Sequence, residues 1–445
     1  MLAMIIDSGS RMRSTPQVAD QRVTVVSSEQ PGSSMAGPAI RAVNLADQLQ
    51  SAGLRVRLAV PEEPDVPLPV PVAVFGKPSS DKFRQFAATS DVVITQPQRV
   101  DVARGLHSGG AKIIYDLYVP AYVEYPASLG VDDLGSRLSR LRVERNWMEY
   151  AAAISSGDAF IVASQNQGDY VLGALGQAGR LQDLRSSGGG PPIVSVPFGI
   201  PEDHPAKAQP GPLRGGLVPE DSIIAVWTGG LWNWFDPVTV IQGLIQARGS
   251  DPRLHLVFLG SGSPSGAFLG GGDAEEALRD SEIQAAFETG SVQFAAEWVP
   301  YQERWQYLSD ADFVVNAHLD SLETRMSFRT RLLDPLWVGL PTLTTEGGEL
   351  SDIMCSADAA VCLPAGDSAA WSEAMLKMAT DSDQRNRMSA AARRLGADFH
   401  WSTVTKPLLE LIKGLANGEL HDAAGPGRME TWRYLSKVLE LRLRR

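Results

Sequence analysis

Cysteine is nearly absent: the 445-residue chain carries two, Cys355 and Cys362. That is too few for a disulfide framework or a four-ligand zinc site, and it points to a reducing compartment. Long apolar runs are missing too, and none approaches the length that spans a bilayer. The opening MLAMIIDSGSRMRS has only a short apolar run with no basic residue before it, which does not make a signal peptide. Residues 1–21 therefore read as a loosely ordered leader of a cytoplasmic chain. Positive charge is in deficit. A net charge of −12 argues against a general nucleic-acid binder, which needs basic surface to displace counterions from phosphate. It fits an enzyme whose binding sites are positive locally and not globally. No G-x-G-x-x-G follows the first strand, which disfavours a dinucleotide dehydrogenase.

What is present is a globular balance, 44% hydrophobic and 21% charged, in a chain long enough for two cores. RVTVVSS (22–28) is a β-branched run ending in small polar residues. After it come the turn-rich EQPGSSMAGPA, the helical IRAVNLADQLQSAG and the strand LRVRLAVP. This βαβ order predicts a parallel sheet. Further strands are expected at 72–76, 91–96, 112–118, 159–164 and 192–200, with a long helix around 133–155. PEDHPAKAQPGPLRGGLVPE then breaks all periodicity, as an interdomain linker does. The alternation resumes at 222–230 and continues at 254–262, 291–298, 312–318, 341–347 and 359–366. The expected organisation is a first Rossmann-like domain at 22–205, a linker at 206–221, a second such domain at 222–400 and a helical segment at 401–445. Ligands of such sheets sit at the carboxyl ends of the strands, so the cleft between the domains is the expected site. The basic end RMETWRYLSKVLELRLRR reads as a packed terminal helix in preference to a membrane-surface one.

Four segments carry candidate chemistry. The loop 33–39, between strand and helix, places Gly37 where a ligand can approach backbone N–H groups. In WTGGLWNWFDP, Gly229 and Gly230 allow the same close approach, and the neighbouring tryptophans suit a cleft wall. ETRMSFRTRLLDPLWVGLP sets Glu323 and Asp334 around three arginines. Arg329 and Arg331 can hold a diphosphate by bidentate donation, while the carboxylates suit ribose and sugar hydroxyls. TTEGGE, with Glu346, completes the site or caps a helix. Pro335 removes a helical hydrogen bond, so the helix there starts late, near Arg331, or kinks.

Together, MAGPAIRAVNLADQLQSAG, VPFGI, TGGLWNWFDP and SFRTRLLDPLWVGLPTLTT resemble the retaining GT-B glycosyltransferases often grouped as family 4, over most of residues 22–400. The resemblance implies an α/β fold of two facing Rossmann-like domains with a central cleft, and a C-terminal helix positioned to cross back. It implies retaining transfer from a nucleoside diphosphate sugar to an acceptor the sequence does not identify, with no cofactor and no metal. On it, Asp334 matches the acid expected on the nucleotide ribose and Glu323 the one expected on the donor sugar. Gly37, Gly229, Gly230, Trp298 and Glu346 join the donor-binding set. The chain departs from the pattern in two places. Ten residues lie between the two acids, more than the family usually has, and WNWFDP has no basic residue after the glycine pair. Arg329 and Arg331 then take over the diphosphate. In place of the histidine that the family often carries near the reacting carbon, Asp116 in YDLYVP is the polar candidate, with a buried structural role as its equal alternative. The rival expectations are a nucleotide-sugar epimerase and a non-catalytic nucleotide-sugar-binding partner protein.

Overall fold

The structure, a computed structural model, describes residues 20–33, 35–127, 136–181, 192–203, 211–260, 280–295, 299 and 303–416. The leader before residue 20, Trp298 and the basic end after residue 416 lie outside the described residues. Two wholly parallel sheets form. The first comprises β1 (Arg22–Val26), β2 (Arg55–Val60), β3 (Val72–Val74), β4 (Val92–Thr95), β5 (Lys112–Asp116), β6 (Ala159–Val162) and β7 (Ile193–Ser195). Their spatial order is β3-β2-β1-β4-β5-β6-β7. The second comprises β8 (Ile223–Trp227), β9 (Leu254–Phe258), β10 (Val292–Phe294), β11 (Phe313–Asn316), β12 (Thr342–Thr345) and β13 (Ala360–Leu363), ordered β10-β9-β8-β11-β12-β13. Each expected strand is found. In both sheets the order reverses beside the first strand, between β1 and β4 and between β8 and β11. That is where a doubly wound sheet leaves a crevice for a ligand.

The central strands are near-continuous apolar runs because helices cover both faces. One apolar cluster is not confined to a lobe. It runs from Val25 and Leu45 of the first through Phe198 and Ile200 to Phe328 and Leu336 of the second, and on to Trp401, Leu408 and Ile412. The last described helix, Lys406–Ala416, thus returns to the first lobe. The two passages between the lobes touch: Ile200 N–H donates to Phe399 O at 2.8 Å and Trp401 N–H to Ile200 O at 3.0 Å. Polar contacts also join the lobes. The Glu349 carboxylate accepts the N–H groups of Gln165 (2.9 Å) and Asn166 (3.2 Å), at the start of the helix Gln165–Gln177. A carboxylate there meets unsatisfied donors and the positive end of the helix dipole. Gln167 donates to Tyr118 O in one lobe and Met326 O in the other, each at 2.9 Å.

Two expectations change. Residues 211–221 are built into the second lobe: Leu213 and Arg214 N–H donate to the Asp310 carboxylate at 2.8 and 2.9 Å, and Arg214 pairs with Asp312 at 2.6 Å. Cys355 and Cys362 form one disulfide, from the helix Glu349–Ser356 to β13, so the cysteines no longer argue for a reducing compartment. No helix among the described residues is long and apolar enough to cross a membrane.

Candidate functional site

Three loops at strand ends build the site. After β1, the helix Gly37–Ser51 starts with Pro38 in its first turn and no side-chain cap, so its N-terminal backbone opens into the cleft. After β8, Trp227 is wholly buried against Phe235 and Phe258. The chain then turns at Gly229, whose φ of +77° only glycine adopts without strain, and Asp236 caps the helix Pro237–Arg248 by accepting Thr239 N–H at 3.0 Å. Trp232 and Trp234 stack on one another at 5.7 Å between centroids. After β11, Ser321 caps the helix Leu322–Met326, an extended segment carries Ser327 to Arg329, and a 3-10 turn at Thr330–Leu332 leads into the helix Leu333–Val338. Pro335 lies in that helix's first turn, where its missing N–H has no partner to lose. The helix starts late and does not kink.

These loops enclose a cavity of about 710 Å³ between the lobes. Glu29, Gly37, Tyr118 and Glu124 line it from the first lobe, and Gly229, Gly230, Trp232, Trp234, Arg304, Glu323, Arg329, Arg331 and Asp334 from the second. Its charges are organised by pairs. Glu323, 1% exposed, accepts both terminal nitrogens of Arg329, at 2.8 and 2.5 Å. Arg304 meets Asp334 at 3.5 Å. Arg331 has no ion-pairing carboxylate among the described residues. It donates to the carbonyls of Thr228 (3.2 Å) and Gly230, and its guanidinium lies 4.3 Å from the Phe235 ring centroid. Burial, with Arg304 and Arg329 nearby, pushes Arg331 down to about 9. Burial raises Asp334 above the usual carboxylate range, against the pull of Arg304 and Arg331. Behind this wall, burial and Arg329 hold the His318 imidazole neutral, at about 3. Three guanidinium groups face one cavity, with two ion-paired carboxylates on their own lobe. An anion bound there would satisfy the remainder.

Gly229 also answers a close approach: a Cβ on it would lie 3.1 Å from the Arg331 Cζ. Gly229→Ala is therefore expected to cost about 1 kcal/mol or more and to displace Arg331, read as a lower melting temperature together with weaker anion binding.

The sequence expectations fare unequally. Gly37, Gly229, Gly230, Glu323, Arg329, Arg331 and Asp334 all come to the cavity, whereas Arg325 is exposed. Asp116 is corrected: it does not line this cavity. Its carboxylate is taken by the buried Arg41, Nε at 2.7 Å and Nη2 at 3.0 Å, and Arg41 also donates to Val196 O and Pro197 O. Burying a guanidinium requires such a counterion. Glu346 is corrected as well, being exposed and outside the cavity wall; it is Glu349 that makes the interlobe contact. Glu323 and Arg329, expected on different parts of a donor, hold each other. The sequence expectations omitted Arg304 and Glu124. Glu124 lies on the short helix Ala121–Ala127, a few residues beyond the strand end where Asp116 was sought.

No protein-family model matches the chain, and no curated protein matches its sequence. Solved structures do resemble it. HepE of Anabaena, in complex with UDP and glucose, superposes with a TM-score of 0.62 at 15% identity, over 88% of this chain and 98% of that one. Sucrose-phosphate synthase of Thermosynechococcus elongatus gives 0.61 at 16% identity, over 89% and 99%. WaaG, a glycosyltransferase of lipopolysaccharide biosynthesis, gives 0.60 at 14% identity, over 88% and 100%. With two parallel doubly wound lobes, a cavity at both switch points and a last helix returning to the first lobe, the chain has the GT-B glycosyltransferase fold.

Proposed function

We propose that the protein is a glycosyltransferase that takes a sugar from a nucleoside diphosphate donor and retains the anomeric configuration. The observation that carries this is Arg331: a guanidinium in the interlobe cavity, pressed on an aromatic ring and two carbonyls, with no carboxylate ion-paired to it among the described residues. A departing diphosphate develops charge as the bond to the sugar breaks, and fixed donors that meet that charge lower the barrier. Arg331 and Arg304, with the uncapped N-terminus at Gly37 facing them, are arranged for that task. In this reading Asp334, beside Arg304, takes the ribose hydroxyls, and Glu323, oriented by Arg329, takes the sugar hydroxyls. Closure of the lobes would exclude water and suppress hydrolysis of the donor.

UDP, the nucleotide bound in the HepE complex, is the first ligand to try. Saturating UDP at about a hundred times its Kd is expected to stabilise the protein by about 2.7 kcal/mol, read as a rise in melting temperature. EDTA should leave that rise and the turnover of UDP-glucose unchanged. UDP-glucose binding without turnover across a broad acceptor panel would favour a non-catalytic binder, and a new nucleotide sugar formed without acceptor would favour an epimerase.

A further inference from the structure

A serine hydroxyl has one hydrogen to donate. Ser327 Oγ lies 2.7 Å from Glu323 Oε1 and 3.4 Å from Glu124 Oε1. The short contact takes that hydrogen: Ser327 donates to Glu323, and the longer contact sets a second carboxyl beside the same hydroxyl. Glu323 is the ionised one of the two, because its oxygens accept both terminal nitrogens of Arg329. Glu124 has no ion-pairing cation among the described residues, so of two carboxyls that share one serine it is the one that favours the neutral acid.

The surroundings agree. Burial, and then the negative Glu323, push the Glu124 carboxyl up to about 7, against the opposing pull of Arg329 and Ser327. In the first lobe, Tyr118 before its helix, Tyr122 on it, and Tyr150 and Tyr170 on the helices packed behind Tyr122 are held neutral by burial at ordinary pH. Tyr125 follows Glu124 on its helix, and Glu29 lines the same cavity from the first lobe. Across the cavity, Arg325 of the facing helix is exposed, which leaves Glu323 and Arg329 as the charges that act on Glu124.

We propose that Glu124, as the neutral acid, is the first lobe's ligand to the sugar of the bound donor, set beside Glu323 across Ser327. This rests on the glycosyltransferase reading. A protonated carboxyl both donates and accepts, so Glu124 can bind a sugar hydroxyl from the lobe opposite the one that holds the diphosphate. The sugar then bridges the lobes. Ionising Glu124 removes the donor hydrogen and sets two carboxylates on one serine. Sugar affinity therefore falls as pH rises through the Glu124 pKa.

Calorimetric titration with UDP and with UDP-glucose, at about pH 6 and about pH 8.5, separates the sugar's share of affinity from the nucleotide's. In the wild type the ratio of the two affinities is expected to fall about tenfold per pH unit above neutrality, and in Glu124→Gln it should stay flat. An unchanging ratio in the wild type, or the same fall in the variant, overturns the proposal. If neither ligand binds, the glycosyltransferase reading fails and the sugar role falls with it. Thermal unfolding reads the Glu124 proton without any ligand. Glutamine imitates the neutral acid, so the variant and the wild type should melt together at about pH 4, below the unfolded glutamate pKa, and the variant should melt higher at about pH 8.5. Equal melting at both pH values would show that Glu124 carries no raised pKa and would overturn the neutral acid.

Discussion

Replacing Arg331 with alanine is expected to lower kcat/KM for a nucleoside diphosphate sugar by about 10²- to 10³-fold, the cost of removing one preorganised donor from a developing oxyanion. The side chain is suited to so large an effect because its charge is already raised in energy. It is half-buried, it stands beside Arg304 and Arg329, and its partners are carbonyl oxygens and a ring. A diphosphate that relieves this gains more than it would from a solvated arginine, and it gains most where the leaving group is most charged. The loss should therefore fall on kcat more than on KM. Arg331→Lys keeps the charge but not the planar guanidinium that lies on the Phe235 ring while its Nη1 donates to Thr228 O and Gly230 O, and should recover only part of the activity. Removing the guanidinium also leaves those carbonyls without a donor, at about 1–3 kcal/mol, so melting temperature must be followed beside the rate. Unchanged turnover in a folded Arg331→Ala protein would sink this account of the phosphate site.

Asp116→Ala should act on stability and leave chemistry alone, costing about 3–5 kcal/mol because it strands a buried guanidinium. Arg41 is 1% exposed and held by Asp116 on one side and by the carbonyls of Val196 and Pro197 on the other, with the Tyr118 ring at 4.6 Å. These contacts tie the first helix to the ends of β5 and β7. Denaturant titration should show the loss. The double variant Arg41→Met with Asp116→Ala should regain much of it, since neither charge is then left unpaired. A single Asp116 variant with wild-type stability and abolished turnover would return Asp116 to the catalytic group.

Both parallel sheets are legible in the sequence because their signals are local: β-branched runs, Gly and Pro punctuation and helical spacing each act within a few residues. The late start of the helix at Leu333 is legible for the same reason, since Pro335 alone dictates it. The partners inside the site are not. Glu124 and Ser327 lie 203 positions apart, and Arg41 and Asp116 lie 75 apart. No propensity or period reports a contact of that span. Asp116 and Glu124 illustrate the difference. The strand end that carries Asp116 is visible and suggests a group aimed at the cleft. Only the fold shows that Arg41 claims that carboxylate and that the next short helix brings another into the cavity. Glu323 and Arg329 are legible as a charged cluster, but their mutual pairing depends on the extended segment between them, which has no repeating pattern.

The side-by-side crossing at Ile200 and Trp401 constrains how the two lobes can move. Two backbone strands, hydrogen-bonded where they leave one lobe for the other, behave as a door hung on a doubled pin. Swinging about that line is permitted by small torsional changes, whereas sliding or twisting would break main-chain hydrogen bonds and pull Trp401 from beneath Phe198. The mouth of the cleft should therefore open and shut along a single arc. Severing either strand alone would leave the lobes tethered but would release them from that arc.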